Sequence, residues 1–282
     1  MEETSTMFSP SALSGPPGLS HDELERFGKD GWLGPYPLLT PEGVEHLDRA
    51  YSETGDMFSS KNLPWQAEDL DGFEKCPWFK SLHAYVPAFC QVASHSALVN
   101  RLVSILGQDI IAWGVTVTRR RPDQSHRWHV DVEHARCSGA NVFIGLKNVS
   151  KESSLKLISG SHRIQLAPQS LGVLDDEAAL IAIRPTGPAS ELVSVDMKEG
   201  EFIILHGKLW HSSHNKTEYV RTAVLAQYST PKAAVRIPLN WDEPIRWHSY
   251  QPPCILVSGQ ERFGLNNVVS PPIRQSWFPP YD

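Results

Sequence analysis

The sequence has few cysteines and no long apolar segment, and both absences limit what the protein can be. Its cysteines, Cys76, Cys90, Cys137 and Cys254, are scattered and form no CxxC pair, so neither a disulfide scaffold nor a structural zinc knuckle is expected. No apolar run approaches the ~20 residues that a transmembrane helix needs. The first residues are acidic and rich in serine and proline, unlike a signal peptide. These absences predict a soluble, cytoplasmic protein with reduced thiols.

The sequence also lacks an excess of basic residues. Its 282 residues include 26 Lys and Arg against 32 Asp and Glu, which gives a formal net charge of −6. Proteins that bind nucleic acids or anionic membrane surfaces are expected to be basic, so neither partner is predicted. Apolar residues make up 40% of the chain, enough to bury a sizeable core.

The chain divides by composition into a short leader and one domain. Residues 1–19 are rich in Ser, Pro and Gly and are predicted to be a disordered leader. Residues 20–282 are predicted to form a single domain, because no linker interrupts them. Within this domain, 20–107 is predicted to be helical and 108–230 rich in β-strands. Residues 231–282, dense in Pro and aromatic residues, are predicted to be an ordered C-terminal wrap with little regular structure.

Helix and strand signals occupy different parts of the chain. Predicted helices start at Ser20, at Thr40 and near Val92, and glycines end them at Gly28–Gly31, Gly55 and Gly107. Predicted strands cover 110–118, 141–148, 155–158, 192–196, 201–206 and 220–228. Helices followed by many short strands favour helices packed on a β-sandwich or barrel over an alternating α/β sheet.

Two histidine-rich segments offer candidate metal ligands. HRWHVDVEH places His129 and Asp131 two residues apart, so that both side chains point to one face of a strand. HGKLWHSSH contains His211, far along the chain. Two imidazoles and one carboxylate can occupy one face of an octahedral ion and leave three positions open, as in non-haem Fe(II) oxygenases. An HxD pair alone is weak evidence, and histidines with a purely structural role are the alternative.

Several motifs in order resemble those of the phytanoyl-CoA dioxygenase family of Fe(II)/2-oxoglutarate-dependent oxygenases, from about residue 20 to 230. The opening SHDELERFGKDGWLGPYPLLTPEGVEHL is similar to the family's first two helices and the DG turn between them. WHVD at 128–131 is similar to the proximal iron motif, and LKLISGSH at 155–162 to the PGSH motif, with Ser159 in place of proline. GEFIILHGKLWHSSHNKT at 200–217, followed by VRT at 220–222, is similar to the distal motif. The resemblance implies a mainly β fold with flanking helices and a double-stranded β-helix (jelly-roll, cupin-like) core over 108–230.

Carried over residue by residue, the resemblance implies a set of site residues and cofactors. His129, Asp131 and His211 would bind Fe(II), and Arg221 with Ser213 would bind 2-oxoglutarate, since a guanidinium can hold a carboxylate by two parallel hydrogen bonds. O₂ would be the second co-substrate. In halogenating relatives a small residue replaces the carboxylate, so Asp131 makes hydroxylation, with release of succinate and CO₂, the expected reaction. Desaturation, epoxidation and cyclisation are alternatives.

Some of these roles have rivals in the sequence. His206 and His214 lie near His211, and Glu133 shares the strand phase of His129 and Asp131. His162 is expected to be structural. At the level of function, a jelly-roll binding or regulatory protein without turnover and a zinc hydrolase with the same ligands are the alternatives.

Substrate contacts are expected from four residues, Trp113, Arg119, Arg121 and His134. Strand alternation sends Arg119 and Arg121 to one face, where either could pair with a substrate carboxylate or phosphate. For the arginines, the alternative is a solvent-exposed run at the end of a strand. For Trp113, and for Trp128 as a second candidate for the pocket wall, the alternative is a purely structural place in the core. The acidic chain favours a small amino-acid-like or secondary-metabolite substrate over a CoA thioester. No nucleic acid or membrane is expected as a partner, and the protein is expected to be a monomer or homodimer.

Overall fold

The helices lie mainly in the N-terminal third of the protein. A computed structural model of the chain describes residues 7–14, 18–60, 80–131, 139–164, 166–183, 191–238 and 249–273. The α-helices in these ranges are α1 Pro10–Leu13, α2 His21–Asp30, α3 Pro41–Ser60, α4 Leu82–Tyr85, α5 Pro87–Ala93, α6 Ser96–Leu106 and α7 Asp176–Ile183. Two 3₁₀-helices cover Ser161–Ile164 and Pro168–Leu171. No helix in the described ranges has the length and hydropathy of a transmembrane segment.

Local sequence signals set where the first helices begin and end. The Ser20 and Glu23 side chains form a complete capping box at α2, and Gly31 ends that helix in the left-handed conformation. Thr40 caps α3, because its Oγ1 accepts a hydrogen bond of 3.0 Å from the backbone N–H of Gly43. These starts agree with the sequence prediction.

The strands form two facing sheets and one small pair. The strands are β1 Trp32–Pro37, β2 Ile110–Arg120, β3 Ser125–His129, β4 Gly139–Lys147, β5 Leu155–Ile158, β6 Leu192–Ser194, β7 Glu201–His206, β8 His211–His214, β9 Arg221–Ser229, β10 Ile237–Pro238, β11 Ser249–Tyr250, β12 Pro253–Ser258 and β13 Asn267–Val268. The major sheet has the order β1-β7-β4-β9-β2-β12-β13, and the minor sheet β3-β8-β5-β6. The predicted mainly β jelly roll with flanking helices is confirmed.

The major sheet separates two apolar layers. Val142, Ile204 and Ala226 face the helices in the largest core cluster. Their sequence neighbours point to the other, inner face, because side chains alternate along a strand. On that inner face Phe143 and Ile203 pack against residues of the minor sheet. The functional side chains described below lie between the two sheets.

The outer face of the minor sheet is closed by α7. Trp128 and Trp210 pack there in a cluster that includes Ala179 and Ile183 of α7. The indole N–H of Trp128 donates to Asp176 Oδ1 at 3.2 Å. Trp128 therefore points away from the space between the sheets and does not wall it.

The described part of the predicted leader is folded. Met7 and Phe8 are 3% and 4% exposed and belong to the main core. The Phe8 ring stacks on the His95 imidazole with ring centroids 3.8 Å apart, and the Met7 carbonyl accepts a 3.0 Å hydrogen bond from the N–H of Thr40. The expectation of disorder over 1–19 is therefore wrong for residues 7–14, where apolar burial outweighs the Ser- and Pro-rich composition.

Three predicted element boundaries also differ from the structure. Helix α3 continues through Gly55 to Ser60. Gly55 has no positive φ, so it does not adopt the left-handed conformation with which a glycine commonly ends a helix. The helix predicted over about 92–106 is interrupted at Ser94, and the His95 side chain caps the new helix α6. In the predicted C-terminal wrap, Pro253–Ser258 forms β12, which pairs with β2 in the major sheet.

Candidate functional site

The candidate metal ligands lie where two strands of the minor sheet meet. His129 is the last residue of β3 and His211 the first residue of β8, and the two are direct partners in the antiparallel ladder. Directly opposite residues project to the same side of a sheet, and their rings lie 4.2 Å apart between centroids. Asp131 follows two residues after β3 ends. Strand pairing therefore brings together the histidines that are distant in sequence.

One carboxylate lies between the two imidazoles. Asp131 Oδ1 is 3.5 Å from His129 Nε2, and Asp131 Oδ2 is 3.5 Å from His211 Nε2. One potential ligand atom from each of the three residues lies within 4.8 Å of the other two. Of the His, Cys, Asp and Glu residues in the described ranges, these are the only ones so grouped.

Backbone carbonyls orient both histidine rings. His129 Nδ1 is 2.9 Å from the Arg127 carbonyl oxygen, and His211 Nδ1 is 2.9 Å from the Leu209 carbonyl oxygen. A carbonyl oxygen only accepts, so each Nδ1 carries the proton and donates it. In the neutral form of each ring the lone pair is then on Nε2, which is directed at the centre of the cluster, as in histidines that bind metals.

The electrostatics of the cluster favour the charge states that a cation requires. Burial raises the pKa of Asp131, but His211 and His129 outweigh this effect and hold its pKa well below the usual range. Burial and then the neighbouring His129 lower the pKa of His211 to about 4. At neutral pH the site therefore contains an ionised carboxylate beside a neutral imidazole, and this donor set fits a divalent first-row metal.

Arg221 is an almost completely buried cation on the inner face of the major sheet. It is 1% exposed, and burial followed by Arg120 lowers its pKa to about 9. Its guanidinium donates to the Ser153 carbonyl at 3.2 Å and to Thr118 Oγ1 at 3.1 Å. None of the ion pairs within the described ranges supplies Arg221 with a carboxylate. The group stays charged at neutral pH and suits an anionic ligand.

Ser213 connects this arginine to the metal ligands. It lies two residues after His211 on β8 and therefore shares the same strand face. The Ser213 hydroxyl is 3.5 Å from an Arg221 Nη atom. Two residues along a strand span about 6.6 Å, so the serine that contacts Arg221 is the next residue after His211 on the same face of β8.

Two residues near the cluster were not predicted from the sequence. The Asn141 side chain donates from Nδ2 to Asp131 Oδ2 at 2.7 Å. His126 lies edge-on against the His129 ring, with centroids 4.3 Å apart. A β-bulge between His126 and His129 explains the second contact, since residues three apart in a regular strand point to opposite faces. His126 belongs to the histidine-rich segment, but no sequence signal indicates the bulge or Asn141.

The structure separates the rival histidines from the cluster. His206 lies beside His162, with ring centroids 4.8 Å apart, and His162 Nε2 bonds to the Gly28 carbonyl at 3.2 Å. His214 Nδ1 bonds to the Ser125 hydroxyl at 2.7 Å. Glu133, the rival carboxylate, lies outside the described residues.

The predicted substrate residues that the structure describes are not gathered at the cluster. Arg119 lies over the Tyr51 ring of α3 at 5.9 Å, on the helix side of the major sheet and turned away from the cluster. Arg121 is exposed in the turn after β2. Trp113 packs with Ile111 in a separate apolar cluster. His134 lies outside the described residues.

Comparisons with known proteins agree on one family and fold. The sequence profile of the family described as phytanoyl-CoA dioxygenase (PhyH) matches residues 27–223. No curated protein sequence matches significantly. The solved structure "Non-heme monooxygenase, ThoJ-Ni complex" is 19% identical, with a TM-score of 0.61 over 89% of this chain and 88% of that one. "CytC3 with Fe(II) and alpha-ketoglutarate" is 16% identical, with a TM-score of 0.61 over 90% and 95% of the two chains.

A third structural relative is EctD from S. alaskensis with 2-oxoglutarate and 5-hydroxyectoine. It is 17% identical, with a TM-score of 0.60 over 91% of this chain and 89% of that chain. At these identities the structural likeness establishes the fold, while the match of the family profile over most of the chain establishes the family.

Proposed function

The chain belongs to the phytanoyl-CoA dioxygenase family of Fe(II)/2-oxoglutarate-dependent oxygenases, and we propose that it hydroxylates a small organic metabolite of an amino-acid-like or secondary-metabolite type. When bound, Fe(II) and 2-oxoglutarate supply the activation of O₂ and the oxidation of a substrate C–H bond, with release of succinate and CO₂. The chain's own residues supply ligand geometry, co-substrate binding and an enclosed site.

The proposal assigns the metal to His129, Asp131 and His211. In each histidine, a backbone carbonyl holds Nδ1 and thereby directs Nε2 towards the cluster. One oxygen of the Asp131 carboxylate lies 3.5 Å from each of the two Nε2 atoms. Three protein ligands on one side of an ion leave positions for a chelating co-substrate and for O₂. The retained carboxylate of Asp131 favours hydroxylation over halogenation.

The observation that carries the proposal is the buried Arg221 connected through Ser213 to the strand of His211. A charge buried to this extent is costly without a counter-ion, and the distal carboxylate of 2-oxoglutarate would be that counter-ion. Its other end, a carboxylate next to a keto group, would reach the metal. A buried arginine near the metal ligands is explained by the binding of a dicarboxylate. A zinc hydrolase with the same three ligands would not need this arginine.

A small substrate is supported by charge and by one relative. The chain is acidic overall, with a formal net charge of −6, which disfavours a large polyanionic thioester. The EctD structure was solved with 5-hydroxyectoine, a hydroxylated small molecule by its name. We therefore place the substrate among small metabolites.

The decisive experiment adds Fe(II) and 2-oxoglutarate to the protein without oxygen. We expect a visible charge-transfer absorption, followed by slow uncoupled formation of succinate when air is admitted. His129→Ala and His211→Ala should lose both signals, whereas His214→Ala, which alters a histidine bonded to Ser125 outside the cluster, should keep them. The substrate would then be sought as the metabolite that stimulates succinate release.

Three results contradict the proposal. Absence of the absorption in the wild type would mean that no chelate forms. An absorption without succinate formation in air would indicate a binding protein. Activity with Zn(II) that is independent of 2-oxoglutarate would indicate a hydrolase.

A further inference from the structure

Each of the three metal-ligand candidates has a hydrogen-bond partner that orients it, and the partner of Asp131 is of a different kind. The two histidines are held by backbone carbonyls of their own strand segments. Asp131 lies beyond the end of β3 and is held by a side chain of the facing sheet, through the 2.7 Å bond from Asn141 Nδ2 to Asp131 Oδ2.

Asn141 is firmly placed. It lies in β4, which is flanked on both sides within the major sheet, and its ladder partners are Leu205 of β7 and Gln227 of β9. Its side chain is fully buried. A carboxylate can only accept hydrogen bonds when ionised, so the amide nitrogen must be the group that faces Asp131. The amide oxygen is then buried, and no hydrogen-bond partner for it exists in the described part of the chain.

This arrangement divides the two oxygens of Asp131 between different partners. Oδ2 accepts the short, charge-assisted bond from Asn141, which lowers its capacity to donate electrons to a cation. Oδ1 lies 3.5 Å from His129 Nε2 and Oδ2 lies equally far from His211 Nε2. Only Oδ2 carries the bond from Asn141, so Oδ1 is the oxygen left for the ion. We propose that Asn141 is a positioning residue that makes Asp131 a one-oxygen metal ligand. This inference rests on the proposed function.

The number of oxygens through which Asp131 binds would determine how many coordination positions stay open at the metal. Two imidazoles and one carboxylate oxygen leave three positions of an octahedral ion, enough for a bidentate 2-oxo acid and O₂. A carboxylate bound through both oxygens would take one of these positions. With the metal bound, the hydrogen bond from Asn141 would therefore keep that position open for O₂, and Asn141 itself would touch no reacting atom.

The test compares Asn141→Leu and Asn141→Ala with Gln227→Leu. Gln227 is the matched control, because it is a buried amide at the neighbouring ladder position and makes no hydrogen bond to Asp131. Far-UV circular dichroism and urea unfolding of the metal-free proteins establish which variants fold. The alanine variant continues the test if leucine does not fit. Anaerobic Fe(II) titration then gives the metal affinity, and the EPR signal of added nitric oxide reports the open position after 2-oxoglutarate binds.

We expect both Asn141 variants to bind Fe(II) about 10- to 100-fold more weakly and to give a reduced nitric oxide signal at saturating Fe(II) and 2-oxoglutarate. Gln227→Leu should remain within about twofold of the wild type in Fe(II) affinity, as expected of a residue outside the ligand shell. Wild-type affinity and signal in folded Asn141 variants would overturn the inference and leave the proposed function intact. Weaker affinity with an undiminished nitric oxide signal would overturn the one-oxygen assignment. A wild type that binds no Fe(II) would instead overturn the proposed function, and the inference with it.

Discussion

At the scale of single residues, the burial of Arg221 is the most demanding feature of the protein. Its guanidinium lies over the Phe143 ring at 5.3 Å and bonds to neutral oxygens of Ser153 and Thr118. Neutral acceptors solvate a cation only in part, so the free energy of the site falls further when an anion arrives. The unfavourable free energy of burying Arg221 thus arises at a place where a carboxylate ligand can offset it.

Replacing this arginine should separate co-substrate binding from metal binding. In Arg221→Leu we expect 2-oxoglutarate affinity to fall at least about tenfold, because charge-assisted hydrogen bonds of about 1.5–3 kcal/mol each are lost. Fe(II) affinity without 2-oxoglutarate should stay close to that of the wild type. Both quantities can be measured by anaerobic titration of the charge-transfer absorption and of the metal.

Arg119→Leu is the matched control, since Arg119 lies over Tyr51 on the opposite side of the same sheet. It should leave 2-oxoglutarate affinity unchanged. Equal losses in the two arginine variants would assign the effect to disturbed packing and would contradict the role of Arg221.

The sequence predicted some site residues because they carry local patterns. His129 and Asp131 form an HxD pair, and His211 and Arg221 lie in a motif of the family. Asn141 has no such pattern, because its contact with Asp131 crosses from one sheet to the other. Arg119 shows a second limit. Alternation along a strand predicts which residues share a face. It does not predict which of the two faces packs against α3 and which faces the site.

At the scale of elements, the N-terminal segment is anchored through one glycine of α3. A side chain at Gly43 would collide with the Met7 carbonyl oxygen, whereas a side chain at Gly28 of α2 would meet nothing within 4 Å. We therefore expect Gly43→Ala to destabilise the protein by about 1–3 kcal/mol, through forced displacement of the segment. Gly28→Ala should stabilise it by about 0.5–1 kcal/mol, through helix propensity.

Urea unfolding of the two variants at neutral pH measures both effects. Both variants gain the same helix propensity from alanine, so the difference between their free energies of unfolding reports the collision at Gly43. A Gly43→Ala protein as stable as Gly28→Ala would contradict the close packing of residues 7–14 on α3.

The contact between α4 and β12 should make the fold sensitive to acid. His83 is fully buried, its Nε2 lies 3.0 Å from the Pro253 carbonyl oxygen, and burial lowers its pKa to about 4. Between pH 6.5 and 4 the unfolded chain binds a proton here that the folded chain refuses, so stability falls as the pH falls. From pH 7 to pH 5 this single group should account for about 2 kcal/mol of lost stability.

His83→Gln tests this contribution, because an amide can donate to the same carbonyl but does not titrate. The variant should lose about 2 kcal/mol less than the wild type between pH 7 and pH 5, as measured by urea unfolding at each pH. Parallel pH profiles for the two proteins would show that His83 is not an acid-sensitive contact.

The sequence predicted the bounds of strands correctly where apolar residues mark the strand along its length. Strands β5 and β7 have the predicted bounds, 155–158 and 201–206. The apolar residues of LKLI, interrupted only by Lys156, define β5, and the unbroken apolar run FIIL defines β7. Strand β1 was missed because its sequence WLGPYP contains glycine and proline, which an edge strand tolerates. Strand β8 was missed because HSSH is polar, and its place between β3 and β5 is set by the tertiary fold.

At the scale of the whole molecule, the site joins the two sheets. His129 and His211 belong to the minor sheet, Arg221 to the major sheet, and Asp131 is held by Asn141 of the major sheet. A ligand that binds these groups together binds only the folded protein. Metal and co-substrate affinities should therefore appear as added global stability.

The thermal unfolding temperature should rise in two steps that depend on different residues. Fe(II), or Co(II) as an oxygen-stable substitute, at about 100 times its dissociation constant should add about 2.7 kcal/mol, which corresponds to about 5 °C for a chain of this size. Added 2-oxoglutarate should raise the temperature again only when metal is present. His211→Ala should lose both increments and Arg221→Leu only the second. An increment from 2-oxoglutarate without metal, or one retained in Arg221→Leu, would show that the dicarboxylate binds elsewhere and would separate the buried arginine from the metal site.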